Sequence, residues 1–169
     1  MNQAAYHVQA TKEQSPVREF VADHGRPIDR SDIEHVTIAG RSIAVAEDLT
    51  ETERELVADA IRSTEPAIKA CFANSLELWK YDERFKYTEG YASLSEFDVG
   101  GFEHAWTMLD GEKLVDVTTT FDHYFGAVIT DRATLQHYYD IGKEYDIYGV
   151  VGNHHNRFEF LRERGYVDG

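Results

Sequence analysis

The chain has 169 residues, 42% of them hydrophobic and 12% aromatic, enough to bury one core and too apolar for a disordered protein. Its 31 acidic against 17 basic side chains give a formal charge of −14, a field that disfavours nucleic acid and anionic membrane surfaces as partners. A single cysteine excludes an internal disulfide framework and a multi-cysteine zinc site, leaving one thiol that is either core filler or a nucleophile.

No apolar run approaches the ~18 residues of a transmembrane helix. The opening stretch MNQAAYHVQATKEQSPVREF lacks the basic and apolar regions of a secretory signal. The expectation is a cytoplasmic or virion-associated protein. The acid excess, with Arg outnumbering Lys, also suits a halophilic protein, because concentrated salt screens self-repulsion.

Residues 1–32 are polar, with Pro16, Pro27 and no sustained period. They read as a mobile or loosely docked N-terminal arm, with room for a short helix at Ser15–Asp23, ahead of one domain over 33–169. Val36, Ile38, Ile43 and Val45 flank Ala39-Gly40-Arg41 and predict a small hairpin. Thr50 and Glu53 form a capping-box pattern, and Leu56, Val57, Ala60 and Ile61 supply the apolar stripe of a helix over Glu51–Ser63. Thr64-Glu65-Pro66 ends it.

A second helix begins near Cys71, with Phe72, Leu76 and Trp79 on one stripe and Cys71, Ser75 and Leu78 on the next. From Lys86 the period changes to strands: Lys86–Ser95, Gly101–Leu109, Glu112–Thr118 and Tyr124–Thr130. Helical patterns return at Asp131–Lys143 and at Asn156–Arg164, the latter closed by Gly165. Helices first and antiparallel strands afterwards predict an α+β fold, a Cys-bearing helix packed on an antiparallel sheet.

A cysteine nucleophile needs a helix N-terminus or an imidazolium to favour its thiolate, a histidine base, and an acid to orient that histidine. Cys71, His104 and Asp116 occur in that order on a helix start and two successive strands. If Leu109-Asp110-Gly111 is a three-residue loop with Gly111 left-handed, Met108 pairs with Glu112 and His104 falls opposite Asp116 on one face. An even loop would throw the two onto opposite faces.

At these residues the chain resembles the transglutaminase-like cysteine proteins, which are related to papain. The resemblance rests on Cys71-Phe72-Ala73-Asn74-Ser75, then Tyr87-Thr88-Glu89-Gly90-Tyr91-Ala92, then His104-Ala105-Trp106, then Val115-Asp116-Val117-Thr118. It covers roughly residues 70–126 and implies Cys71 as nucleophile, His104 as base and Asp116 as orienting acid. Small members with this layout are often met in phage and prokaryotic genomes, which implies a viral or mobile-element origin. Val117 stands where the family has a proline, and no glutamine stands a few residues before Cys71, so the Cys71 backbone N–H is the expected oxyanion donor.

The implied activity is thiol-dependent acyl chemistry on a peptide, protein or amide substrate, without cofactor or metal. Hydrolysis would make the chain a peptidase or amidase, and transfer to an amine a transglutaminase-like enzyme. The alternative is a non-catalytic structural or interaction protein that keeps the fold.

Taken singly, each residue has an ordinary reading. Cys71 would be filler, His104 a satisfied strand histidine and Asp116 a strand-end acid. Asn74, Tyr91 and Trp106 are cleft candidates: Asn74 could equally bond nearby backbone, Tyr91 and Tyr87 could simply pack, and Trp106 could screen the His–Asp pair. His154 and His155, with His123 or Asp122, form a rival metal site. Adjacent extended residues point apart, which argues against it. Tyr138, Tyr139, Tyr145 and Tyr148 could serve an interface or the core.

Overall fold

The computed structural model describes residues 2–95 and 101–168, and these form six α-helices and a seven-stranded antiparallel sheet, an α+β architecture. The polar N-terminal stretch is folded onto the sheet, with a helix where the sequence left room for one at Ser15–Asp23. Asn2 caps helix α1 (Gln3–Ala10), and its side-chain N–H₂ also donates to the Ile28 and Tyr124 carbonyls at 3.1 Å each. Ser15 caps α2 (Pro16–His24), with Pro16 in the first turn, where an N–H would have no partner within the helix. Ala4, Ala5, Val8, Val17, Phe20 and Val21 enter the main core, and strand β1 (Arg26–Ile28) pairs with the end of the sheet. These apolar positions are small or spaced too widely to show as a period, yet all of them are buried.

The expected hairpin is β2 (Ile33–Ile38) and β3 (Arg41–Ala46), turning through Ala39 and Gly40, both at positive φ. Helix α3 (Glu51–Thr64) carries both bonds of the Thr50–Glu53 capping box. Helix α4 (Cys71–Tyr81) starts on Cys71 itself. Strands β4 (Phe85–Ser93), β5 (Phe102–Leu109), β6 (Lys113–Asp116) and β7 (His123–Val128) follow, then α5 (Arg132–Tyr145) and α6 (Glu159–Glu163). The last helix is shorter than expected because Arg157 and Phe158 sit at φ 58°, outside helical geometry.

Strand order is β1-β7-β4-β5-β6-β3-β2. One face is covered by helices. Tyr87, Tyr91, Ala105, Phe125 and Ala127 pack against α1, α2, α4 and α5, while Phe85, Leu109 and Val115 pack with Leu78 and α3 residues. The other face gathers Ala44, Ala92, Trp106, Met108, Leu114 and Tyr124. The sheet curls around this second face, since Pro27 and Ile28 from one edge and Ala46 near the other line the same cavity of about 320 Å³.

Candidate active site

The register between β5 and β6 differs from the expected one by one step on each strand. Leu109 pairs with Lys113 and Thr107 with Val115, leaving Asp110-Gly111-Glu112 as the loop, with Gly111 left-handed at φ 77°. Extending that register puts Asp116 opposite Trp106, so His104 is its diagonal neighbour and not its direct one. The loop is still odd, so parity is kept and the two side chains share a face. A diagonal pair is within reach of an imidazole, and His104 Nε2 lies 2.7 Å from Asp116 Oδ2.

Asp116 is 1% exposed and fully engaged. Its Oδ2 also accepts the Tyr124 hydroxyl at 2.8 Å, and its Oδ1 accepts the backbone N–H groups of Thr118 and Thr119 at 3.0 and 3.3 Å. The Tyr124 oxygen in turn accepts the Phe121 N–H at 3.2 Å. Donors on both oxygens replace the water that burial removes.

His104 is 4% exposed. Trp106 stacks on its ring at 5.9 Å between centroids, Phe121 meets it edge-on at 4.9 Å, and Tyr124 lies at 6.2 Å. Burial alone would lower its pKa. The Asp116 charge and hydrogen bond, together with a hydrogen bond and charge interaction from Cys71, overcome that and raise it to about 10. Since Nε2 is taken by Asp116, the other ring nitrogen, Nδ1, is the one available to the thiol.

Cys71 comes from the helix-covered side, where it packs against the core beside Phe72, and it remains partly exposed. Its thiol is near enough to His104 to raise the imidazole pKa, and close by β5 and β6 stop pairing after Thr107–Val115 and the chain beyond Asp116 turns away. The first turn of α4 sits at that split, with Asn74 donating to the Thr118 hydroxyl at 2.8 Å. No side chain caps α4, and its first residues therefore keep free backbone donors beside the sulfur.

The cleft candidates divide. Trp106 forms the wall of the His–Asp pair. Its indole lies against Gly126, where a Cβ would sit 2.5 Å from the Trp106 Cη2. Asn74 clamps the loop before Cys71, accepting the Ala67 N–H and donating to the Ala67 carbonyl. Tyr91 lies on the opposite face from His104, under Arg18 at 4.7 Å, and burial pushes its phenol up to about 12. The rings of His154 and His155 turn to different neighbours, Phe158 and Tyr145, and among the described residues no group of three potential ligands converges on a metal position.

Three further residues matter to the site and have no role assigned in the sequence reading. Tyr124, the second donor to Asp116, reads only as a strand aromatic until the register is known. Arg41 donates to the carbonyls of Val117, Pro66 and Ala67, tying the acid's strand to the loop that presents the thiol. No local pattern announces it. Glu89 is a buried carboxylate on the helix side of β4. Its position between Tyr87 and Tyr91, on an alternating apolar face, is a signal that could have singled it out.

No family model, curated protein or solved structure matches this chain.

Proposed function

We propose that the chain is a thiol-dependent acyl hydrolase or transferase of the transglutaminase-like kind, with Cys71 as nucleophile, His104 as acid and base, and Asp116 as orienting anion. The observation that carries this reading is one imidazole held at 2.7 Å by Asp116 through Nε2 while also interacting with the Cys71 thiol. The buried Asp116 favours the imidazolium, and an imidazolium beside the sulfur favours the thiolate, the attacking species.

The Cys71 sulfur adds to a carbonyl carbon, and the developing oxyanion is met by backbone N–H groups at the start of α4, with the Cys71 N–H foremost. Collapse expels the amine, which takes the proton from His104 Nδ1 and leaves a thioester on the sulfur. His104, now neutral, removes a proton from water or a second amine, which attacks the thioester. Water releases an acid and regenerates the thiolate–imidazolium pair; an amine releases a new amide. Hydrolysis is the default, because water is always present.

The test is acyl release from p-nitrophenyl acetate, with a burst of p-nitrophenol at one equivalent per chain as the expected signature of a thioester. Cys71→Ala should abolish the burst while leaving the urea midpoint unchanged. A second reading, a structural or interaction protein with this fold and no activity, is favoured by the near-complete burial of His104 and Asp116. It predicts a thiol silent toward iodoacetamide until the chain is unfolded.

A further inference from the structure

Glu89 has no role in the steps above, yet it is 4% exposed and both its oxygens are occupied. Its Oε1 accepts the Tyr87 hydroxyl at 2.6 Å and the Val150 and Val151 N–H groups at 2.8 and 3.2 Å; its Oε2 accepts the Gly152 N–H at 2.9 Å. Three consecutive backbone donors thus converge on one carboxylate, a nest of the sort that holds an anion. The segment it grips, Gly149–Gly152, is not a strand or helix and has no ladder of its own.

The segment's position relates it to the thiol. A Cβ built on Gly149 would touch the Phe72 ring at 3.6 Å, and one on Gly152 would lie 3.6 Å from Glu89 and 3.9 Å from the Glu103 carboxylate. Phe72 directly follows Cys71, and Glu103 directly precedes His104. Val150 and Val151 are fully buried in the same cluster against which Cys71 packs. The turn therefore runs from the neighbour of the nucleophile to the neighbour of the base, on the helix side of the split. Tyr87 lies close enough to Cys71 to feel its charge.

We infer that Glu89 is a positioning residue: from beneath, its carboxylate fixes the Gly149–Gly152 turn as a wall on the helix side of Cys71, limiting the size of group that can approach the sulfur. The inference rests on the thiol reading above for its functional meaning, and on hydrogen-bond geometry for the clamp itself. Removing the carboxylate frees the three N–H groups, and the turn, which lies outside every strand and helix, opens locally before the sheet does.

The test uses the full chain and its only thiol. Two reagents of different size, iodoacetamide and N-(1-pyrenyl)maleimide, report access to Cys71, and hydrogen exchange reports the amides of Val150, Val151 and Gly152. In Glu89→Gln, which keeps the shape and one acceptor, exchange at those three amides should accelerate roughly tenfold or more while β4 and β5 amides stay protected. The rate ratio of the bulky to the small reagent should rise severalfold, a change that a merely structural role elsewhere in the core would not produce. Glu89→Ala should do both more strongly; if that variant fails to fold, the behaviour of Glu89→Gln decides. Accelerated exchange with an unchanged ratio means the turn is not a wall, and unchanged exchange in Glu89→Gln means there is no clamp; either overturns the inference. Failure of the thiol reading is separately visible as an iodoacetamide rate indifferent to His104→Ala.

Discussion

Asp116 and Glu89 are both buried carboxylates of one sheet, each accepting four hydrogen bonds, and they lie on opposite faces of it. Their partners differ in kind. Asp116 directs one oxygen at an imidazole, a group that gains and loses protons, so its charge can be converted into chemistry. Glu89 commits both oxygens to backbone amides and a phenol whose pKa burial drives well above the ordinary tyrosine range, so its charge can only be converted into shape. Both must offset the loss of water; the titratability of the partner separates an orienting anion from a clamp.

Asp116→Asn keeps the size and removes the charge, and acyl release should fall on the order of 10³-fold or more. A reduction below tenfold would mean that the anion is architectural after all, like Glu89. Asp116→Ala should in addition cost about 3–5 kcal/mol in urea unfolding, because the Tyr124 hydroxyl and two backbone donors are left without an acceptor.

The two carboxylates are next separated by pH. The unfolded imidazole titrates near 6.5 and the folded one near 10. The stability His104 contributes is thus complete below about 6.5 and is lost as pH rises through about 10. Burial also raises Glu89 above its ordinary 4.5, so its contribution likewise falls with rising pH, beginning from that lower value. Urea midpoints measured from about pH 6.5 to about pH 10.5 should therefore decline in the parent chain. The decline should persist in Glu89→Gln and flatten in Asp116→Asn, whose imidazole has lost its anion.

A smaller effect sharpens the role of the wall. Gly126→Ala places a methyl against the Trp106 ring and should cost about 1–3 kcal/mol, with a shift in tryptophan emission. Activity should drop with it, since the indole stacked on His104 must move. The smallest effect is the control: Thr50→Ala breaks the α3 capping box, costs about 1 kcal/mol, and leaves Cys71 reactivity unchanged.

What the sequence disclosed followed from local chemistry. The capping box, the Ala39-Gly40 turn, the start of α4 at Cys71 and the left-handed Gly111 each depend on neighbours a few residues away, and each stands where expected. The pairing of His104 with Asp116 was legible through parity alone, although the register was off by one step on each strand. Long-range facts were not legible. Nothing near Arg26 announces an edge strand, and nothing near Arg41 announces that its guanidinium bridges two distant loops. Helix α2 was legible at Ser15–Asp23, but α1 was not, because its burial depends on two alanines and a single valine, which carry little periodic signal.

The position of Asp116 at the fork of the sheet has an evolutionary corollary. The same two oxygens that aim the imidazole also stitch β6, the turn after it and the β7 tyrosine into place. Under the proposed thiol chemistry, selection for folding and selection for turnover would fall on one side chain, whereas the sulfur of Cys71 accepts no comparable structural duty. On that proposal, a descendant that abandoned catalysis would drift first at the thiol and keep its acid, and the residue at position 71, read alone, would mark whether a relative does the chemistry.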